Sequence, residues 1–537
     1  MSQSNTPAVL DAKGEPMRRS AGAEAFQGAS QVSQSLSSWD PALRDADSAH
    51  RFARDPLVSR ARDLQRNSPV ARSGLEGDLS RVVGANWRLR VKPRHDLLGI
   101  TRAEARALGR RMEAELWLWA NDPHRRCDVR RRLSFAQIRR LARRQKRVDG
   151  ETLAVMRFKP DGGRYATCVQ MISTDRLMNR DRAQDSPVLR SGVHLSPDGA
   201  PIAYDILNAH PNDFYTAGDN RTWITVPRLS ETGRPVVIHA FRDEEVDQHR
   251  GVTPFAPVLK LFRLTDRYME AEVASAIIGA TIGAFVKSGF DPATVAESLS
   301  VSSAADAGKG WQDHRVDYYR DNPVKFNDVR LPVIMPGDDI VLTNAARDTS
   351  PFDGFAKTAF QMSSAALGNI YPEISQNWEG LNFTTLRGAY NMLWDRVAVE
   401  RSEDKTDFVD PIVYCVIEEG MARGYYDDVM VPGMPDFHDL PAAYLNYEMI
   451  GPGQKHLDPV KGTQASLMAL DGNLTTLERE CADLGLDYEE VLEQRAFERA
   501  LISELGLPDH DTEAALSVQA PSDLETAPAA PAAPSNG

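Results

Sequence analysis

Residues 250–288, RGVTPFAPVLKLFRLTDRYMEAEVASAIIGATIGAFVKS, constrain the fold more than any other stretch of this chain. They read as one long helix with two unlike halves. Thr253 suits an N-cap, with Pro254 at the first helical position, where a missing N–H costs nothing. Phe255, Val258, Leu259, Phe262 and Tyr268 recur near helical spacing, while Lys260, Arg263, Asp266, Arg267, Glu270 and Glu272 mark a polar side. Between 273 and 286 there is no charge. Ser275, Gly279 and Gly283 fall four residues apart, as do Ala276, Ala280 and Ala284. Such ridges of small side chains let neighbouring backbones approach closely. The uncharged run is shorter than the roughly 20 apolar residues a bilayer crossing needs, so it packs against protein and not in a membrane. Two partners are open: the chain's own core, or copies of the same helix.

At 537 residues the chain is too long for a single core, and two to four structural units are expected. No apolar leader segment is present in the first 35 residues. Cys127, Cys168, Cys415 and Cys481 are widely spaced, without a CxxC pair, which predicts reduced thiols and no structural zinc. The net charge of −13 hides an asymmetry, because residues 51–150 carry 26 Lys and Arg against 11 Asp and Glu. A basic block in an acidic protein points to a polyanion or an acidic partner.

Taken in order, residues 1–38 have the composition of a disordered arm. A helix, a Ser-Pro break, a second helix and a strand near 87–91 follow within 60–93. Thr101-x-x-Glu104 and Ser134-x-x-Gln137 are capping-box patterns that open two more helices. The second, 134–148, carries Arg139, Arg140, Arg143, Arg144, Lys146 and Arg147 with few acidic residues close in sequence, and is expected to expose them as a basic patch. From residue 151 the period changes to two. Pro160-Asp161-Gly162-Gly163 and Pro197-Asp198-Gly199 are hairpin turns, and strands at 222–226 and 235–241 lead into the organising helix. The arrangement is α+β.

Residues 289–350 are irregular, with short strands possible at 329–334 and 339–343. A second small-residue helix fits 351–367, Gly368-Asn369 can end it, and 370–385 reads as a loop. A long helical region runs from there to about 423, and a final helix covers 488–505. Residues 509–537 read as a disordered, acidic Pro/Ala tail with Asp and Glu but no Lys or Arg.

Nothing in this sequence matches a phosphate loop, a dinucleotide fingerprint, a nucleophile elbow or a zinc helix motif. His239 and His249 flank a strand end and are expected to be structural. Gly337-Asp338-Asp339 reads as a solvated turn. No catalytic residue, cofactor or metal site is predicted.

Several segments in order resemble the portal proteins of tailed bacteriophages, of the lambda type: RARDLQRNSPVA (60–71), VVGANWRL (82–89), GVHLSPDGAPIAYDI (192–206), the stretch 238–272, LPVIMPGDDIVL (331–342), NFTTLRGAYNMLWDR (382–396) and 457–494. Gly462 stands where that family usually has Glu. The resemblance implies a homododecameric ring at one capsid vertex, acting as a channel for double-stranded DNA and not as an enzyme. It also implies contacts with the terminase large subunit, the major capsid protein and head-completion proteins, in the virion and, during assembly, in the host bacterial cytoplasm. On that reading 39–250 is a wing, 251–288 and 351–369 are paired stem helices, and 289–350 is a clip. A tunnel loop (370–385), a long helix with wing return (386–430) and a C-terminal wing and crown (431–508) follow. The small residues 275–284 would pack around the ring. Lys357, Asn377, Asn382 and Arg387 would be weak DNA-channel candidates, since a wall that gripped phosphates tightly would oppose movement. A nucleic-acid-binding adaptor using the 134–148 helix is the alternative.

Overall fold

The computed structural model describes residues 35–36, 38–213, 222–282, 324–326, 329–331, 350–454 and 459–506. The helices α1 (Ala46–His50), α2 (Arg54–Asn67) and α3 (Pro69–Val82) come first. Ser68 ends α2 and caps α3, its Oγ accepting from the Ala71 N–H, with Pro69 next, so the Ser-Pro pair breaks the helix where expected. After β1 (Arg88–Val91) and α4 (His95–Leu98), the helices α5 (Arg102–Ala120) and α6 (Phe135–Asp149) each open with a reciprocal capping box. Gly150, at φ 91°, ends α6 in the left-handed conformation.

Seven strands follow: β2 (Glu151–Phe158), β3 (Thr167–Ile172), β4 (Leu189–Arg190), β5 (Val193–Leu195), β6 (Pro201–Leu207), β7 (Trp223–Pro227) and β8 (Val237–Phe241). They form two antiparallel sheets, ordered β3-β2-β8 and β4-β5-β6-β7. Leu153, Val155, Ile172 and Val237 on one face of the first sheet meet Val193, Tyr204, Ile206 and Val226 of the second. Ala154, Met156, Val169 and Ile238 on its other face join α5, α6 and residues 408–417 in the largest core. Burial on both faces explains the unbroken apolar run Leu153–Met156 in β2.

Helix α7 (Leu259–Ile282) begins five residues later than a cap at Thr253 predicts. Thr253 Oγ1 instead accepts from the Phe255 N–H at 3.2 Å, and residues 254–258 are turns. Tertiary contacts override the local signal. Arg250 is held by Glu151 and by the carbonyls of Leu177 and Ser191, at 2.8 and 2.6 Å. Phe255 and Val258 turn into a core with α2 and α3. A short hairpin, β9 (Val324–Phe326) with β10 (Val329–Leu331), precedes α8 (Ser350–Leu367). Helix α8 packs against α7, where the Tyr268 and Phe355 rings meet edge to face at 5.2 Å.

The segment 370–385 is not one long loop. It holds α9 (Tyr371–Ser375), and α10 (Phe383–Asp404) starts before it ends, leaving seven residues between them. A π turn (Lys405–Val409) joins α10 to α11 (Asp410–Ala422) without a break. Pro411 accounts for it: the ring lacks an N–H and crowds the preceding turn, and widening that turn relieves both. After α12 (Pro441–Tyr444), strand β11 (Tyr447–Ile450) pairs antiparallel with β1, so the chain returns to its beginning. Helices α13 (Pro459–Asp471), α14 (Leu477–Asp483) and α15 (Tyr488–Glu504) complete the described residues. All four cysteines are buried free thiols.

Candidate functional site

The charge on α6 is not a surface patch, and this corrects the sequence reading. Arg139, Arg143, Lys146 and Arg147 are all buried. Arg143 donates from Nε and Nη2 to Asp78 at 2.9 Å each, and from Nη1 to Glu400 at 2.8 Å. Arg139 pairs with Asp404 at 3.0 Å, and Lys146 with Asp407 at 3.1 Å. Arg140 and Arg144, nearer the surface, share Glu76 at 2.8 and 2.5 Å. The partners come from α3 and from α10 with its π turn, up to 265 residues away, so the sequence around α6 shows none of them.

The result is a charged spine inside the protein. Burial pushes the Asp78 carboxyl up, but Arg147 and Arg143 beside it prevail and hold it at about 2. Glu400 is kept below the ordinary carboxylate value in the same way, against burial, by Arg143 and Arg147. Burial lowers the Arg147 guanidinium. Its Nη2 donates to the Leu367 carbonyl at 2.6 Å, satisfying an otherwise orphaned acceptor at the C-terminus of α8 and meeting the negative end of that helix.

The residues after α8 are fastened to α3. Asn369 donates to the Gly74 carbonyl at 3.2 Å and accepts from Arg81 at 2.8 Å, and Arg81 also pairs with Glu373. Ser73 Oγ donates to the Glu373 carbonyl at 2.9 Å. Gly74 and Gly77 leave room for this: a Cβ on either would strike Asn369 or Glu373. Gly368 has φ 70° and lies against the Arg396 guanidinium of α10, with no space for a Cβ.

Residues 376–385 are then exposed without interruption, on a loop anchored at both ends. Asn382 caps α10, its Oδ1 accepting from the Thr385 N–H at 2.7 Å, and Asn377 Oδ1 accepts from the Glu379 N–H at 2.9 Å. Both have local structural work. Arg387 is exposed in the second turn of α10, and Lys357 is exposed on α8. Sequence reasoning missed the apolar content of this loop, where Trp378 and Phe383 are 52% and 53% exposed and Leu381 lies between them. The signal was three large apolar side chains within six residues of a polar connection.

Ser275 is half-buried and Ala276 exposed on α7, which also contains Gly279 and Ala280, while Gly283 and Ala284 lie outside the described residues. So do Gly337-Asp338-Asp339, the expected strand at 339–343 and most of 289–350. His239 pairs with Glu151 at 2.9 Å and His249 with Asp47 at 2.8 Å, both structural as expected. Among the described residues no cluster of His, Cys, Asp and Glu is placed to hold a metal ion, and no helix is long and apolar enough to cross a membrane.

Comparison with known proteins gives a family. Residues 33–401 match the family described as phage portal protein, lambda family. Portal protein B of Escherichia phage lambda is 28% identical over 471 residues, covering 86% of this chain and 87% of that protein. The portal protein of Escherichia phage N15 is 27% identical over 469 residues, with the same coverage. Among solved structures, a chain of the virion of a native gene transfer agent particle matches 80% of this chain and 93% of its own length. It is 13% identical at a TM-score of 0.33, too low to establish a common fold. The family match spans most of the chain and both relatives extend it to nearly the full length, so this chain is a member of the lambda family of phage portal proteins.

Proposed function

We propose that this chain assembles as a dodecameric ring at the unique capsid vertex, forming the channel through which double-stranded DNA is packaged and later ejected. The observation that carries the reading is the family match over residues 33–401. The chain acts as a structural conduit and not as an enzyme. Helices α7 and α8 form the stem, and the segment between them is the clip that docks the terminase large subunit during packaging and head-completion proteins afterwards. The wing meets the major capsid protein. The chain works in the virion and, during assembly, in the host bacterial cytoplasm.

Two features support the channel. The loop 376–382 projects exposed side chains from firmly held ends, as a segment lining a passage needs. The net charge of −13 disfavours tight phosphate binding, which would trap DNA through counterion release. The adaptor alternative loses its main support, because each of the six cations on α6 has a carboxylate partner.

Native mass spectrometry with negative-stain imaging of the purified chain tests the proposal. A ring of about a dozen subunits with a central hole is expected, in line with closed cyclic symmetry. A compact monomer that persists at high concentration and in the presence of capsid protein would refute it.

A further inference from the structure

With α6 neutralised from within, the surplus of basic charge in residues 51–150 must lie elsewhere. Part of it lies in the loop between α5 and α6. Arg130 and Arg132 are exposed there and Arg125 is half-buried, and among the described residues none of the three pairs with a carboxylate. Their intervening neighbours fix the loop. Asp128 accepts from the N–H groups of Arg130 and Arg132 at 3.1 and 3.0 Å, and Arg131 pairs with Asp161 at the tip of the β2–β3 hairpin. The loop also runs along β3, where the Val129 N–H donates to the Val169 carbonyl at 3.0 Å. Lys159, exposed and with no ion-pair partner among the described residues, extends the same basic edge.

The opposite edge of that sheet has the opposite charge. Strand order is β3-β2-β8, so β8 is the far edge, and the chain leaving it forms Asp243, Glu244, Glu245, Val246 and Asp247, all exposed. Gln248 is buried beneath this turn, accepting from the N–H groups of Glu244 and Glu245 at 3.0 and 3.2 Å and giving it a fixed shape. No Lys or Arg among the described residues pairs with these carboxylates; Glu245 lies 3.5 Å from His50 Nε2. The turn forms one lip of an open groove of about 670 Å³. Val246, 87% exposed, stands in the middle of the acidic run.

We propose that the arginine loop 124–132 of one subunit seats on the acid-lipped groove at 243–247 of the next copy of this chain. The inference rests on the ring reading above and adds the surfaces that meet. A knob on one edge and a complementary groove on the opposite edge of one rigid sheet make a head-to-tail interface, the kind that closes into a ring. Opposite potentials on the two faces fix partner and register. A second copy is favoured over nucleic acid because the receiving surface is present on the same chain.

The test uses two full-length variants, R130E/R132E and D243K/E244K, which alter side chains that form no ion pair with another described residue of the subunit. Each alone faces like charge across the interface and is expected to lose rings at least about tenfold by native mass spectrometry at low salt, the change a penalty of 1.4 kcal/mol produces. Mixed in equal amounts, the two are expected to co-assemble into rings of alternating subunits. Rings of either single variant at wild-type yield would overturn the proposal while leaving the ring reading intact. Rings that form normally but lose binding to a DNA duplex in R130E/R132E would overturn it in favour of a nucleic-acid surface. A wild-type chain that never forms rings would sink the ring reading instead, and the mixed variants then decide this proposal by whether they pair with each other.

Discussion

Arg143 and Asp78 form a two-pronged ion pair with no access to solvent at the guanidinium, which is 1% exposed and makes both contacts at 2.9 Å. Neither group could be buried alone. Arg143 links α6 to α3 through Asp78 and to α10 through Glu400, so three helices share one set of charges. Removing one partner of such a pair leaves an uncompensated buried charge, whereas the pair itself adds little beyond offsetting its desolvation.

Asp78→Ala is therefore expected to destabilise the subunit by about 3–5 kcal/mol, read as a fall in the urea midpoint. The sign with pH is fixed as well. Asp78 is held at about 2 against an ordinary value of 3.8, so its contribution is full above pH 4 and is lost as pH falls through that interval. Wild type and variant should converge in stability toward pH 2. A difference that stays constant down to pH 2 would show that Asp78 keeps its ordinary carboxylate value in the fold.

Glu113 should behave in the opposite sense. It faces Arg90 on β1 and Asp487 and Glu489 at the start of α15, and accepts from the Val91 N–H at 2.7 Å. Burial pushes its carboxyl up to about 7, over the lowering effect of the Val91 N–H and Arg90, with Asp487 and Glu489 adding to the rise. The folded chain then holds a proton that the unfolded chain has released, so stability falls as pH rises from 4.5 to 7. Glu113→Gln keeps the acceptor for Val91 and removes that fall. It is expected to be more stable than wild type at pH 8 by on the order of 1–2 kcal/mol, allowing for partial solvent exposure, and equal to it at pH 4.5. Parallel melting curves at the two pH values check this, and an equal gain at both would exclude a titrating Glu113.

What was legible in the sequence was local. Ser68-Pro69, the boxes at Thr101 and Ser134, and the Pro160–Gly163 turn act through groups within a few residues, and each element they predict is present. Asn382, read as a weak channel residue, caps α10. What was illegible depended on distant partners. Asp78, Glu400 and Asp404 convert the α6 arginines from a surface into a spine, and nothing near α6 announces them. Thr253 fails as a cap because Arg250 and Phe255 are committed to Glu151 and to the core. Residues 371–375 become helical, with Pro372 in the first turn, where the two glycines of α3 give them a surface to lie on.

The adaptor alternative makes its own prediction through Arg140 and Arg144, the two α6 cations nearest the surface. Replacing both by Gln removes the pairing with Glu76 and should cost at most about 1 kcal/mol, as partly exposed pairs do. If the spine is purely internal, the salt dependence of any DNA binding stays unchanged. An adaptor that released counterions through these residues would lose close to two units of the log–log salt slope. A titration of a fluorescent duplex at several salt concentrations separates the two.

Gly368→Ala should be among the most damaging single-methyl additions in the described residues, for two separable reasons. The backbone sits at φ 70°, which costs a side chain about 1 kcal/mol by itself, and the added Cβ would overlap the Arg396 guanidinium. Displacing Arg396 also disturbs Glu400, 3.7 Å away, and through it the spine. A total loss of about 2–4 kcal/mol is expected in urea unfolding. Arg396→Ala in the same chain vacates the space but leaves the backbone cost, so the double variant should regain stability relative to Gly368→Ala and retain a deficit near 1 kcal/mol against Arg396→Ala alone. Equal losses in the two backgrounds would mean that Arg396 yields freely and that the left-handed backbone accounts for the whole effect.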